Sequence, residues 1–551
     1  MLPHRTAVRP TYLLIAWLVL NLAQAALTPL DPDETYYWMY AGHLDWGYFD
    51  HPPAVAVLIA LGRDWLPGAL GLRFGHVLAG TAAIGVLFFL RRGAGEKDDW
   101  LMAALIFAQP MLQVYGFIAT PDGPLLLFAA LYLLAYRRFL DRPSYGNAAW
   151  VGLAMAGLLY SKYHGLMLIL FTILPNLMYL IRKPAAWLAV GVGTLLFLPH
   201  LYWQYAHDFP SFRYHLSGRD DPYQLKFTVQ YLLNQLVVFS PLLVYHYVRA
   251  FTRSTTTDRF ERSLRWLVGG FLLFFLYTTT KGRTEAQWTA VLSLPLVLLL
   301  YRAVGRFPAW RTSVLRLCYV TGVLLLVARL LLVLPRDWLP FEKPFDHSPW
   351  VERLHEMAGT QPVIVENSYR YASLYEFYSG GPGWTFTDVD YRPSQYDLWH
   401  RDTQYHDQPV WILGQANWDL AGLDSFRTQK RDMRLRYVDS FQVVKDVALE
   451  AEFPTPGQLR VFATAPREIA LRGTLPLNLH LISRQEEGNY KYEPLPSLLA
   501  DRLPANERTL LFEGPVPAGF LERNPVDRLS VGLAYRGMPP LRDQSPTYRL
   551  E

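Results

Sequence analysis

Long apolar stretches separated by short polar loops fill the first part of the chain. Each stretch approaches the roughly 20 residues that an α-helix needs to cross a bilayer. Because charged residues fall mainly between the stretches, the pattern predicts a polytopic α-helical membrane protein with about eleven transmembrane helices. The stretches cover residues 11–30, 71–90, 100–117, 124–139, 147–160, 164–181, 185–205, 228–248, 264–280, 286–301 and 313–334.

The pattern changes near residue 335, where charged residues become frequent and apolar runs become short. Residues 1–340 carry 29 Lys/Arg and 18 Asp/Glu, whereas residues 341–551 carry 23 and 29. This distribution excludes a wholly soluble enzyme and a disordered chain. We therefore predict a transmembrane domain over residues 1–335 and a soluble domain over residues 336–551.

The soluble domain combines two kinds of pattern. Residues 362–366 and 409–414 have the continuous apolar character of buried parallel strands, with a helical pattern at 369–378 between them. They predict an α/β unit over residues 341–435. A β-rich unit over residues 436–551 is predicted from short strands between Pro- and Gly-rich turns, at 435–444, 459–463, 477–482, 509–513 and 529–535.

Basic residues set the predicted orientation, because Lys and Arg accumulate in cytoplasmic loops. With the N-terminus in the cytoplasm, cytoplasmic loops and span edges hold 19 Lys/Arg, and the opposite short loops hold 8. Eleven spans then place the C-terminal domain outside the cytoplasm. We expect an inner-membrane protein whose C-terminal domain lies in the periplasm. The alternative is a cleaved signal peptide ending near Ala23-Gln24-Ala25. Since the basic residues lie between apolar runs, they do not indicate nucleic-acid binding.

Polar residues of four predicted external loops form the candidate site. The first loop is rich in Tyr and Trp, which favour the membrane interface, and we expect it to form interfacial helices. All four loops face one compartment and combine carboxylates with strong cations. The candidate residues are Asp33, Glu34, Asp50 and His51 in the first loop, Asp122 in the second, Lys162 and Tyr163 in the third, and Lys281, Arg283 and Gln287 in the fourth.

These residue types fit the chemistry of group transfer beside a lipid boundary. A carboxylate can accept the proton of an attacking hydroxyl or amine. Lys and Arg can hold a phosphate leaving group and stabilise its developing charge. A polyprenyl-phosphate sugar, with its phosphate at the surface and its tail in lipid, suits such a site. Each residue also has a structural alternative: the acids can cap helices, and the lysines can snorkel to solvent.

The order and spacing of the loop motifs resemble bacterial members of glycosyltransferase family 39. This family includes relatives of the dolichyl-phosphate-mannose protein mannosyltransferases and of the lipid A aminoarabinose transferase. The resemblance covers about residues 10–335 and implies a GT-C fold with interfacial helices in the first external loop. It also implies inverting sugar transfer from a polyprenyl phosphate. The motifs are Asp33-Glu34-x-Tyr36-Tyr37, Gly47-Tyr48-Phe49-Asp50-His51-Pro52-Pro53, Thr120-Pro121-Asp122-x-Pro124-Leu125, Ser161-Lys162-Tyr163 and Lys281-x-Arg283-x-x-x-Gln287-Trp288.

The resemblance also implies roles for individual residues. Asp33 matches the first-loop carboxylate that is the usual base, and Asp122 matches a second-loop acid. Lys162, Lys281 and Arg283 match basic residues proposed to line the site. Relatives carry Lys where this chain has His51, and a neutral imidazole supplies no fixed charge. No metal or other cofactor is expected, and a divalent ion at the loop carboxylates is the alternative.

Two other functions remain open at this point. A polytopic transporter or flippase would place ionisable groups near the bilayer midplane, whereas here they cluster at one predicted interface. An oligosaccharyltransferase-like enzyme would share the architecture and bind a peptide or glycan. The acceptor is a lipid, a glycan or a protein. Arg329 lies inside the last apolar stretch, where its charge is costly unless it faces protein or a headgroup.

Overall fold

The computed structural model divides the chain into two compact units, Met1–Phe345 and Asp346–Glu551. The sequence-based division at residue 335 lies ten residues before this one. The structure describes residues 10–91, 98–217, 222–253, 258–335, 338–339, 346–415, 424–428, 431–455, 457–484, 490–496, 498–517, 520 and 528–548. Arg5, Arg9, Arg92, Lys97 and Arg219, which contributed to the predicted charge asymmetry, lie outside these ranges.

The described part of the first unit is helical. Short 3₁₀ segments at Leu174–Asn176, Ala286–Leu292 and Pro308–Trp310 join or extend its helices. The α-helices are α1 Pro10–Leu27, α2 Pro32–Ala41, α3 Ala54–Arg63, α4 Gly68–Leu90, α5 Asp99–Phe107, α6 Pro110–Val114, α7 Asp122–Asp141, α8 Tyr145–Ser161, α9 His164–Ile173, α10 Leu177–Leu180, α11 Pro184–Ala206, α12 Pro210–Ser217, α13 Leu225–Val238, α14 Val244–Arg253, α15 Arg259–Thr278, α16 Ser293–Arg306 and α17 Arg311–Val333.

Membrane-spanning character is clear for part of this unit. Among the described residues, six helical segments are long and apolar enough to cross a bilayer: α1, α4, α7, α11, Ala286–Arg306 and Pro308–Val333. The other predicted stretches are also helical: α15 is long and continuous but carries four charged residues near its start, and the rest are shorter or interrupted. The stretch at 100–117 breaks before Pro110 and the stretch at 228–248 breaks before Pro241, because proline cannot donate the helical hydrogen bond. The polytopic membrane architecture is confirmed, and the count of eleven spans stays a prediction.

Close helix packing brings α4 against α3, and this contact positions the site. A Cβ atom on Gly75 would lie 2.0 Å from the carbonyl oxygen of Leu58, and one on Gly71 would lie 2.1 Å from that of Leu66. Only glycine allows such an approach of two backbones, as is typical of small residues at membrane-helix interfaces. The approach fixes the N-terminal half of α4 beside the polypeptide that connects α1 with α3.

The second unit begins with an α/β sheet of order β2-β1-β3-β5-β4. Its first three strands, β1 Val363–Glu366, β2 Gly383–Phe386 and β3 Val410–Gln415, are parallel. Two antiparallel strands, β4 Asp424–Arg427 and β5 Asp432–Val438, complete it. The accompanying helices are α18 Ser348–Ala358, α19 Tyr369–Ser379 and α20 Gln395–Trp399.

Three antiparallel β-sheets make up the rest of the described second unit, with orders β12-β7-β6, β10-β9-β13 and β11-β8. The predicted strands are present, but β5 pairs with β3 and so belongs to the α/β sheet. That part therefore extends to Val438, beyond the predicted boundary at 435. The strands are β6 Ala448–Glu452, β7 Gln458–Thr464, β8 Ile469–Ala470, β9 Leu477–Arg484, β10 Tyr490–Pro494, β11 Arg502–Leu503, β12 Arg508–Pro515 and β13 Leu529–Tyr535.

Candidate active site

The predicted catalytic carboxylates Asp33 and Glu34 lie in the first turn of α2. The side chain of Asp31 caps this helix by accepting a hydrogen bond from the backbone N–H of Asp33 at 2.9 Å. Glu34 completes a capping box by accepting from the backbone N–H of Asp31 at 2.9 Å. Successive helical residues point about 100° apart, so Glu34 is fully buried while Asp33 is half-buried.

Glu34 is joined to Arg73 of α4 in a buried, bidentate ion pair. Arg73 Nε donates to Glu34 Oε1 at 2.7 Å, and Nη2 donates to Oε2. The other N–H groups of Arg73 bind carbonyl oxygens at the end of α1 and just after it, those of Ala25, Thr28 and Pro29. All five guanidinium donors are thereby used.

The second loop joins the first through the same carboxylate. The backbone N–H of Ala119 donates to Glu34 Oε1 at 2.8 Å. With Arg73 and Asp31, this bond gives Glu34 four donors, which is the full acceptor capacity of a carboxylate. Ala119 lies three residues before Asp122, so the contact holds the first two loops together at one end of the helix bundle, hereafter the site end.

Asp122 and Lys162 form the second buried ion pair of the site end. Lys162 Nζ lies 2.9 Å from each carboxylate oxygen of Asp122, and both side chains are 8% exposed. Asp122 stands in the first turn of α7, where the helix dipole favours negative charge. Lys162 directly follows α8, and its backbone N–H donates a hydrogen bond to the carbonyl oxygen of Leu158. The alternative of a solvated, snorkelling Lys162 is wrong, because the side chain points into protein.

Asp50, His51 and Tyr163 are held together by aromatic packing. The His51 ring centroid lies 5.7 Å from that of Tyr37 on α2. His215 of α12 lies 3.3 Å from the backbone oxygen of Asp50, and its ring lies 5.6 Å from Tyr163. The first loop and the third loop therefore meet beside α12.

A polar network locks this arrangement onto α11. The Tyr163 hydroxyl lies 3.1 Å from His200 Nε2 and accepts from Gln204 Nε2, also at 3.1 Å. Gln204 also donates to Ser211 Oγ, which donates in turn to the backbone oxygen of Tyr48. Burial raises the pKa of the Tyr163 hydroxyl, and the nearby carboxylate of Asp50 raises it further against the opposing hydrogen bond to Ser211. Tyr163 is therefore a neutral hydrogen-bonding group.

The fourth-loop residues are placed differently. Lys281 and Arg283 are exposed, and Arg283 Nε lies 3.4 Å from Glu285 Oε1. Gln287 lies half-buried in the 3₁₀ segment Ala286–Leu292. The loop reaches the others through Trp288, whose ring lies 5.8 Å from His164, the residue after Tyr163. Neither Lys281 nor Arg283 contacts the Glu34–Arg73 or the Asp122–Lys162 ion pair. Their predicted role in binding the donor phosphate stays a prediction.

A divalent ion at the loop carboxylates is the alternative that the sequence leaves open. Within the described ranges, no group of three or more His, Cys, Asp or Glu side chains is arranged to hold a metal ion. Glu34 and Asp122 already face cations, and Asp33, the predicted catalytic acid, is half-buried in the first turn of α2. The expectation that no metal is required stays a prediction.

Arg73 is the residue of the site end that sequence reasoning missed. Arg73 is one of the eight cations assigned to the external side in the predicted charge asymmetry, although it lies inside the predicted stretch 71–90. The helix instead begins at Gly68, and Arg73 is buried inside it with 1% exposure. The available signal was an ionisable residue within an apolar helix, which indicates a partner in the protein.

Comparisons with known proteins agree with this architecture. Residues 50–203 match the family model described as dolichyl-phosphate-mannose-protein mannosyltransferase. The lipid A galacturonosyltransferase RgtD of Rhizobium johnstonii is 24% identical over 392 residues, covering 65% of this chain and 78% of that protein. The lipopolysaccharide core galacturonosyltransferase RgtA of the same species is 29% identical over 220 residues, 36% of this chain and 42% of that protein.

A solved structure extends the similarity to the fold. ArnT from Cupriavidus metallidurans, solved in the apo state and bound to undecaprenyl phosphate, superposes with a TM-score of 0.59 and 14% identity. The match covers 77% of this chain and 97% of ArnT. The relatives named here are glycosyltransferases, which sets aside the transporter alternative. The chain is a polytopic membrane glycosyltransferase with the GT-C fold, and its resemblance to glycosyltransferase family 39 is confirmed.

Proposed function

We propose that the chain transfers a sugar from a polyprenyl-phosphate donor to a lipid-type acceptor at the external face of the inner membrane. The observation that carries the proposal is the hydrogen bond from Ala119 N–H to Glu34. It joins the Asp33 loop to the Asp122–Lys162 loops at one end of an apolar bundle. At that end, the lipid tail of such a donor can lie against the apolar helices while its phosphate lies beside the charged loops.

In the proposed reaction, Asp33 accepts the proton of the acceptor hydroxyl as the oxygen attacks the anomeric carbon. The bond between that carbon and the phosphate oxygen breaks, and polyprenyl phosphate leaves with both bonding electrons. Attack opposite the leaving group inverts the anomeric centre. Glu34 is saturated by four donors, so we assign it to holding the first loop rather than to proton transfer.

Lys162 orients Asp122 in this proposal and retains a third N–H for a phosphate oxygen. Lys281 and Arg283 supply further cations at the entrance, where they are exposed to solvent. Since cations of the chain can neutralise the phosphate, we propose that no metal is required. Transfer should persist after treatment with a chelator, and a loss that Mg²⁺ or Mn²⁺ restores would contradict this.

The names of the relatives support the choice of substrates. RgtD is a lipid A galacturonosyltransferase, and ArnT was solved with undecaprenyl phosphate bound. Purified protein should therefore transfer radiolabelled sugar from a synthetic polyprenyl-phosphate sugar to lipid A or to lipopolysaccharide core. Mass spectrometry of the products names the sugar and the acceptor. Transfer to peptide or to free glycan, with none to lipid acceptors, would contradict the proposal.

The orientation is tested separately. Eleven spans with a cytoplasmic N-terminus place the second unit in the periplasm. Alkaline phosphatase fused after residue 345 should be active, whereas a fusion near Arg259 should be inactive. The opposite result would reverse the topology and place the four loops on the cytoplasmic side.

A further inference from the structure

A second arginine is buried at the site end, and its surroundings differ from those of Arg73. Arg329 lies near the end of α17, within a predicted span, and is 5% exposed. Three side-chain amides accept its hydrogen bonds: Gln113 Oε1 at 2.6 Å, Asn21 Oδ1 at 3.0 Å and Gln24 Oε1 at 3.2 Å. We call these three residues the amide cage.

The amide cage satisfies the guanidinium without neutralising it. Amide oxygens are acceptors with no net charge, and no carboxylate of the described residues lies within ion-pair distance of Arg329. The NH₂ groups of the cage are also occupied: Asn21 donates to Trp17 O, and Gln113 donates to Phe107 O. The cage is therefore a fully bonded structure that holds one positive charge inside the bundle.

This charge lies close to the first loop. Both arginines lie against the ring of Phe117, with Arg329 Cζ 5.2 Å and Arg73 Cζ 5.6 Å from its centroid. Arg73 forms an ion pair with Glu34, and Lys162 forms an ion pair with Asp122. Each of these two ion pairs is neutral in itself, whereas Arg329 has only amide acceptors and no described carboxylate at ion-pair distance.

We infer that Arg329, held in its amide cage, supplies the fixed positive potential that attracts the phosphate of a lipid-linked substrate to the site end. The inference rests on the proposed function, because a polyprenyl-phosphate donor brings that phosphate. Arg329 acts at a distance, through a medium of low dielectric where a unit charge remains effective over about 10 Å. It is an electrostatic binding residue and touches neither base nor sugar.

Position 113 offers a matched pair of variants that separates charge from structure. Gln113→Glu places a carboxylate against Arg329 with the same shape, so the guanidinium stays in place while its charge is neutralised. Gln113→Met removes the hydrogen bond to Arg329 without adding charge, and both variants lose the hydrogen bond that Gln113 donates to Phe107 O. The purified full-length protein is used in detergent, with undecaprenyl phosphate as the probe and undecaprenol, the same tail without phosphate, as the control ligand.

We expect Gln113→Glu to weaken undecaprenyl phosphate binding about tenfold, with a loss of thermal stability no larger than that of Gln113→Met. Gln113→Met should melt at a lower temperature and bind undecaprenyl phosphate about as well as wild type. Neither variant should change undecaprenol binding. Arg329→Gln should match Gln113→Glu in affinity, and Arg329→Lys should retain wild-type affinity.

Three results would overturn the inference. One is wild-type affinity in Gln113→Glu, and another is an equal loss in Gln113→Met, since the cage would then be structural only. The third is complete competition by vesicles of phosphatidylglycerol, which would assign the charge to bulk anionic lipid. Wild-type transfer from a polyprenyl-phosphate sugar with unchanged affinity in Gln113→Glu would remove the inference and leave the proposed function intact. Arg329-dependent phosphate binding without any transfer would do the reverse.

Discussion

Two buried ion pairs at the same end of the bundle differ in how completely their carboxylates are bonded. Glu34 accepts from two N–H groups of Arg73 and from the backbones of Asp31 and Ala119. The only side-chain partner described for Asp122 is the ammonium of Lys162. The first pair joins α1, α2, α4 and the second loop, whereas the second pair joins only the start of α7 to the loop after α8.

The difference separates a structural pair from an adjustable one. Moving Glu34 would break four hydrogen bonds in one step, and each unsatisfied buried group costs free energy. Lys162 is a flexible point charge with three donors, so it can turn toward an incoming phosphate while it still contacts Asp122. We therefore expect the Glu34–Arg73 pair to govern stability and the Asp122–Lys162 pair to govern turnover.

The largest effect should follow from breaking the structural pair. Arg73→Met leaves Glu34 buried without a cation, and such a change costs about 3–5 kcal/mol. Thermal unfolding in detergent measures the loss. The double variant Glu34→Gln/Arg73→Met removes both charges and should recover part of the stability. A single variant that melts at the wild-type temperature would contradict the structural role.

Breaking the adjustable pair should cost less stability and more activity. Lys162→Met leaves Asp122 buried without its cation, which should lower the free energy of unfolding by about 1–3 kcal/mol. The loss is limited because the N-terminus of α7 still favours the carboxylate. Transfer should fall at least about tenfold, the scale of one lost charge contact in the transition state. Lys162→Arg, which keeps the charge, is the control. Equal stability losses for Lys162→Met and Arg73→Met would remove the distinction between the two pairs.

Asp33 should show the reverse of the structural pair, with a large effect on transfer and almost none on folding. Asp33→Asn should change stability by only about 0.5 kcal/mol, as for a partly exposed residue. If Asp33 is the base, turnover should fall about 10²–10⁴-fold, while donor affinity stays near wild type. Asp31→Asn is the neighbouring control, since Asn caps helices as well as Asp does. Near-normal turnover in Asp33→Asn would pass the role of base to Asp122.

The smallest effect is expected at the exposed fourth loop. Lys281→Ala should weaken donor binding by about two- to fivefold, because solvent and salt screen exposed charges. The loss should shrink further in high salt, which a binding series at two ionic strengths would detect. Arg283→Ala should lose less, since Arg283 lies 3.4 Å from Glu285. A salt-independent loss would instead indicate direct burial of Lys281 against the donor.

Hydropathy predicted the helices well because each apolar stretch needs only its own residues to signal a span. Motif order likewise predicted three loops that meet, since Ala119 joins the second loop to Glu34 and Lys162 joins the third loop to Asp122. The division of roles between Asp33 and Glu34 was beyond the sequence, since adjacent acids look alike until the helix turns one inward. The helix break before Pro241, by contrast, was readable, because Ser240 precedes a proline within an apolar run.

The sequence also could not predict which side chains pair with one another, because residues far apart in the chain carry no local pattern that identifies their partners. Glu34 and Arg73 are 39 residues apart, and Lys162 and Asp122 are 40 apart. Arg329 meets Gln24 and Asn21 across 305 and 308 residues. The sequence showed only that a charge in the last apolar stretch needs protein or a headgroup beside it. In the structure, the groups beside Arg329 are the side-chain amides of the protein itself.

The hydrogen bonds of Arg73 also limit how this enzyme can be recombined with its relatives. The guanidinium binds the residues that precede α2, Glu34 within it, and through Glu34 the segment before Asp122. A chimaera that imports a foreign first loop, to change donor or acceptor, will separate that loop from its anchor. The transplantable unit is residues 25–53, the first half of α4 and residues 117–122 together. Variation in these three segments should therefore be inherited as a block.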